Sequence, residues 1–153
     1  MKKILVFDMD GTIADFYGVP NWETDLLNGN VRPYVEAKPL YDMDELNVIL
    51  NEFHLLGWII IVTSWLSKNA TSEFKTAIRK AKTEWLNRYE FPYDELHLIQ
   101  YGRTKADCTR NKGGYQILID DNEQVRKGWT LGSTINANEN IINALINLLE
   151  KEN

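Results

Sequence analysis

The chain has a single cysteine, Cys108, in 153 residues. An internal disulfide is excluded, and a chain without cross-links suits a reducing compartment. Cys108 itself reads as a structural or incidental thiol. Long apolar runs are missing: none approaches the ~20 residues of a membrane span. Lys2 and Lys3 precede only a brief apolar run, which Asp8 interrupts, so no secretory leader is expected there. The expected setting is cytoplasmic, with no membrane partner. Positive charge is not in excess either. Seventeen Lys and Arg against 22 Asp and Glu give a net charge of -5. That disfavours broad binding to duplex nucleic acid, whose phosphates need a basic face. It still allows a small phosphorylated ligand held by one Lys, one Arg and a metal. Repeats, low-complexity tracts and interdomain linkers are absent, and nothing specifies an oligomer. Only two histidines occur. His54 falls on a helical stretch and His97 in a strand, and both read as structural.

What is present is an ordinary globular balance, 44% hydrophobic and 25% charged. The length suits one domain over residues 1–153. Apolar strands alternate with amphipathic helices, which predicts an α/β fold with a mostly parallel sheet. The predicted strands are 3–8, 58–62, 96–101 and 115–119, with an edge strand at 129–131. Predicted helices cover 42–56, 71–89 and 138–150, with shorter ones at 105–110 and 123–128. Asp42 and Glu45 form a capping box for the first. Lys75, Arg79, Lys80, Lys82 and Arg88 on the 71–89 helix read as a solvated face. Residues 17–40 lack either periodicity and hold Gly18, Pro20, Gly29, Pro33 and Pro39. They form a short insertion that is either a lid over a site or a surface excursion whose aromatics plug the core.

Polar residues follow four of the strands: Asp8 and Asp10; Thr63 and Ser64; Arg103 and Lys105; Asp120 and Asp121. In a parallel sheet these ends share one edge, where open α/β sheets bind ligands. Asp8 and Asp10 are two apart on a strand end, so they face the same way. Paired carboxylates repel unless a metal or a shared proton relieves them. The set supplies what phosphoryl transfer needs. One carboxylate can attack phosphorus, and a second can protonate the leaving alcohol and then activate water. Mg²⁺ takes oxygen ligands, while a hydroxyl and a lysine neutralise phosphate oxygens.

The ordered set Asp8-Met9-Asp10-Gly11-Thr12, Thr63, Lys105 and Asp120-Asp121 resembles the four motifs of the haloacid dehalogenase-like (HAD) phosphatases. That resemblance implies a HAD-like Rossmannoid three-layer α/β/α fold, with 17–40 as a reduced cap. It implies Asp8 as nucleophile, Asp10 as general acid/base, and Thr63 and Lys105 as phosphate binders. Mg²⁺ would be held by Asp8, the Asp10 backbone carbonyl and Asp120, with Asp121 in support. Within the superfamily the chain is most similar to the 5′(3′)-deoxyribonucleotidases. Ala14-Asp15-Phe16, Thr63-Ser64, Arg103-Thr104-Lys105 and Leu118-Ile119-Asp120-Asp121 carry that similarity. It implies Ser64 and Arg103 near the phosphate and Phe16 against a base, the alternative for Phe16 being core packing. The short cap and Trp65, where that family has proline, are departures. Trp22, Tyr34 and Trp65 either offer stacking faces or pack in the core. The expected activity is Mg²⁺-dependent hydrolysis of (deoxy)nucleoside monophosphates. The alternatives are a phosphatase for nucleic-acid ends and a HAD-like domain that binds a phospho-ligand or partner without turnover.

Overall fold

The computed structural model describes residues 1–152. Its centre is a five-stranded, wholly parallel sheet. The strands are β1 (Lys3–Phe7), β4 (Ile59–Trp65), β5 (Glu95–Ile99), β6 (Tyr115–Asp120) and β7 (Thr134–Asn136), in the order β5-β4-β1-β6-β7. β1 is central because it is apolar on both faces: Ile4, Leu5, Val6 and Phe7 are all fully buried. It pairs with β4 on one side and β6 on the other, and Phe7 lies opposite both Val62 and Ile119. One residue further along, Asp8, Thr63 and Asp120 become neighbours. The strand register thus builds the site before any side chain is considered.

Helices α3 (Met43–Leu55), α4 (Ser72–Arg88) and α7 (Ile141–Glu152) cover one face. Their apolar stripes meet Leu5, Phe7, Ile60 and Ile119 in the larger core cluster. The cap predicted for the first of them forms: Asp42 accepts from the Asp44 and Glu45 N–H groups. Thr71 caps α4, accepting from the Phe74 N–H. The short helices α5 (Ala106–Thr109) and α6 (Glu123–Lys127) lie at the other face, where Ile4, Val6, Ile61, Leu118 and Trp129 form a smaller cluster. The arrangement is a three-layer α/β/α fold.

One strand lies elsewhere than the sequence pattern predicts. Residues 129–131 are not the edge strand; β7 begins at Thr134. Trp129 is instead buried against the sheet, and its indole N–H donates to the Gln116 carbonyl at 3.1 Å. Burial of a large aromatic took precedence over its strand propensity.

The insertion is ordered. β2 (Ala14–Asp15) and β3 (Lys38–Pro39) pair antiparallel at its base and enclose α1 (Trp22–Leu27) and α2 (Arg32–Glu36). Arg32 ties it internally, reaching Asp25, Glu36 and the Pro20 carbonyl. The buried Trp85 of α4 donates from its indole N–H to the Ala37 carbonyl at 2.8 Å. The insertion is therefore docked on α4 rather than free above the sheet. Trp85→Phe keeps a ring there but leaves that carbonyl unpaired. It is expected to cost about 1–3 kcal/mol, read as a lower urea midpoint at unchanged m-value.

Candidate active site

The site forms at the carboxyl ends of β1, β4 and β6. Residues 8–12 leave β1 in a tight turn, with Thr12, Ile13 and Ala14 N–H groups all directed at the Met9 carbonyl. Gly11 adopts φ +83°, and a Cβ there would meet Asp121 Oδ2 at 2.5 Å. Glycine is required by the conformation and by that close approach.

Asp8 is buried. Its Oδ1 accepts from Lys105 Nζ at 2.6 Å, and its Oδ2 accepts from the Thr12 hydroxyl at 2.9 Å. Lys105 also donates to Asp120 Oδ2 at 2.8 Å. Burial works to raise the Asp8 carboxyl, but the Lys105 ammonium and bonds from Asp121, Lys105 and Thr12 hold it below its usual value. Burial works to lower the Lys105 ammonium, and the charges of Asp8 and Asp120 outweigh it and push it up. Asp120 is raised by burial and by Asp8. Asp121 is pushed up to about 8 by burial and by its hydrogen bond with Asp8. Carboxylate oxygens of Asp8, Asp120 and Asp121 lie within 4.8 Å of one another. All are hard oxygen donors, which fits Mg²⁺. The Asp10 carboxylate is not part of this group, so only its backbone carbonyl is a candidate ligand.

Asp10 faces a partner that sequence reasoning missed. Lys82, in the middle of α4, is 0% exposed. It donates to Asp10 Oδ2 at 2.9 Å, to Ser64 Oγ at 2.6 Å and to the Trp65 carbonyl at 3.2 Å. It also lies 5.0 Å from the centre of the Tyr34 ring. This corrects the reading of Lys82 as part of a solvated basic face. The available signal was its spacing: Phe74, Ile78, Lys82 and Trp85 follow one helical stripe, so a lysine occupies a core position. Burial raises the Asp10 carboxyl against the pull of Lys82. Asp8 and Asp10 are thus driven in opposite directions. Thr12 is the second residue missed; its hydroxyl joins Asp8 to Asp121, accepting from the Asp121 N–H at 3.2 Å.

The remaining candidates divide. Ser64 lines the cleft beside Asp8, Asp10 and Lys105, as do Phe16 and Trp65. Thr63 sits next to Asp8 in register but does not line it. Its Oγ1 is buried beside Asp8 with no hydrogen-bond partner among the described residues. Arg103 points away: its side chain is exposed, 4.0 Å from Asp107, and its backbone carbonyl accepts from the Trp65 indole N–H at 2.8 Å. His54 bonds Asp94 and His97 bonds Glu95, outside the cleft. The cleft encloses about 1120 Å³ and extends from the carboxylates between the insertion and the start of α4.

The sequence matches no protein-family model, and no curated protein matches it. A solved structure does. The chain superposes on a D,D-heptose 1,7-bisphosphate phosphatase from Burkholderia thailandensis with a TM-score of 0.59 over 97% of this chain and 99% of that one, at 13% identity. The fold is haloacid dehalogenase-like. At that identity the likeness carries the fold and leaves the substrate to the site itself.

Two outcomes test this geometry. In metal-free protein, folding raises Asp121 from an ordinary 3.8 to about 8. The native state then holds a proton that the unfolded chain has released, so this contribution to stability is full below pH 3.8 and is lost as pH rises towards 8. Asp121→Asn is expected to flatten the fall in Tm between pH 5 and pH 8 in EDTA; an unchanged slope would contradict the assignment. Lys82→Met removes one partner of a buried pair and is expected to cost up to about 3 kcal/mol, the cleft-side opening at Asp10 softening the loss. The double variant with Asp10→Asn should recover most of it in urea denaturation.

Proposed function

We propose that this chain is a cytoplasmic, Mg²⁺-dependent phosphomonoesterase of one HAD-like domain with a reduced cap, acting on (deoxy)nucleoside monophosphates. The observation that carries the reading is the divergence of the two first-motif carboxyls. Asp8 is held ionised by Lys105, while burial favours the protonated form of Asp10. Groups pushed apart in this way take opposite roles as nucleophile and acid.

An Asp8 oxygen attacks phosphorus and forms an aspartyl-phosphate as the bond to the leaving oxygen breaks. Asp10 gives its proton to that oxygen. It then takes a proton from the water that attacks the phosphorus of the intermediate, releasing phosphate and regenerating Asp8. Lys82 keeps the Asp10 carboxylate aimed across the turn. Lys105 and Ser64, which line the cleft, supply positive charge and a donor to the phosphate oxygens, and the enclosed Thr63 hydroxyl lies beside Asp8. Asp8, Asp120 and the Asp10 carbonyl would hold Mg²⁺, supported by Asp121. When bound, the ion offsets the charge of phosphate and carboxylates together. Nucleotides are favoured as substrates by the aromatic residues Trp65 and Tyr101 in the lining of the cleft.

A second reading, a phosphatase for nucleic-acid ends, draws on the size of the cleft. Its 1120 Å³ exceeds the ~300–1,000 Å³ of ordinary ligand pockets. The net charge of -5 weighs against it.

Phosphate release with Mg²⁺ tests both. The panel comprises nucleoside 3′- and 5′-monophosphates, sugar phosphates and 3′-phosphorylated oligonucleotides, with Asp8→Asn as blank. Mononucleotides are expected to be preferred, with activity lost in EDTA and restored by Mg²⁺. Asp10→Asn is expected to lower turnover by about 10²–10⁴-fold. Full activity in chelator, or near-native turnover by Asp8→Asn, would overturn the mechanism. Preference for oligonucleotide ends would select the second reading.

A further inference from the structure

Two aromatic walls border the cleft. On the insertion side Phe16 is only 3% exposed, and its ring lies 4.8 Å from that of Tyr34 in a cluster with Phe74, Ile78 and Ala81. Such a ring braces the insertion on α4 and has little face left for a ligand; Tyr17, packed on it, is the exposed aromatic there at 55%. The opposite wall stands beside the carboxylates. Trp65, the last residue of β4, packs on Tyr101 with ring centres 5.3 Å apart and planes at 58°. Tyr101 is 54% exposed.

The position of this pair is fixed. The Trp65 indole N–H donates to the Arg103 carbonyl, and the next residue, Leu66, donates its backbone N–H to Ile99 at 2.7 Å. One anchor is the last residue of β5 and the other lies in the connection that leads from it to Lys105. The distance to the chemistry is short. Lys105 Nζ is 5.4 Å from the Trp65 ring centre and 2.6 Å from Asp8 Oδ1. The ring centre therefore lies within about 8 Å of the attacking oxygen.

We infer that Trp65 and Tyr101 form the seat for the planar base of the leaving group, an inference that rests on the nucleotidase reading above. A sugar alone leaves the aromatic pair unused. Beyond the pair Leu66, Phe74 and Trp22 continue an apolar surface, and Lys68, Asn69 and Glu73 add polar groups to the cleft. A base presents its apolar face to the rings and keeps its polar edges at the open mouth. Every base has such a face, so the seat selects for planarity and is tolerant of base identity.

The test is the ratio of kcat/KM for deoxynucleoside 5′-monophosphates to that for glycerol phosphate, in native protein, Trp65→Phe, Trp65→Leu and Tyr101→Leu. The native ratio is expected to be about tenfold or more and similar for the four bases. Trp65→Phe should retain most of it. Each Leu variant should lose about tenfold of it, mainly through a higher KM for nucleotides. A native preference that survives both Leu variants overturns the seat and leaves the nucleotidase reading standing. A native enzyme that hydrolyses both substrates equally overturns the seat and the nucleotide assignment, leaving phosphoester hydrolysis. No release from either substrate removes the seat together with the enzymatic reading. If Trp65→Leu does not fold, the more exposed Tyr101→Leu decides the matter.

Discussion

The Lys105 ammonium between Asp8 and Asp120 is the contact on which the active end of this molecule depends. Three carboxyl groups are brought within 4.8 Å of one another at the sheet edge. At an effective dielectric near 20, two like charges at such a separation repel by about 3 kcal/mol. Two devices relieve this without a metal: the lysine bridges two of the groups, and burial pushes the third, Asp121, up to about 8 and so towards its protonated form. A divalent ion would supply the same relief more completely. The site is in this sense built for positive charge, first from the chain and then from a ligand.

A second lysine separates the two first-motif carboxyls electrically. Asp8 belongs to Lys105, and Asp10 belongs to Lys82 on α4. Because Lys82 also holds Ser64 and the Trp65 carbonyl, one buried ammonium fixes the end of β4 relative to the first-motif turn. The insertion closes the arrangement from above, through Tyr34 over Lys82 and Ala37 against Trp85. Helix α4 is therefore a structural element on one side and part of the cleft wall on the other.

Much of this was legible in the chain. The apolar run before Asp8 and its repetition before Thr63 and Asp120 required a parallel sheet with those residues on one edge, and the structure places them there. The capping residue Asp42 marked its helix because its side chain satisfies N–H groups that a helix start leaves free. Where local pattern and tertiary burial competed, burial prevailed. Trp129 left the predicted strand for the core, and Lys82 left the predicted solvated face for a buried pair. A lysine in an apolar stripe looks like surface charge until the carboxylate that neutralises it is known, and Asp10 is 72 residues away.

By itself, then, the sequence determined the strand–helix alternation, the parallel sheet and the identity of the carboxylates at the end of β1, since these follow from hydrophobic period and local turn chemistry. Tertiary structure alone decided that β1 lies at the centre of the sheet, which cation each carboxylate meets, that Ser64 faces the cleft while Thr63 is enclosed beside Asp8, and that Trp65 packs on an exposed Tyr101 while Phe16 is sealed. Those outcomes depend on contacts between segments distant in the chain, and no local periodicity encodes them.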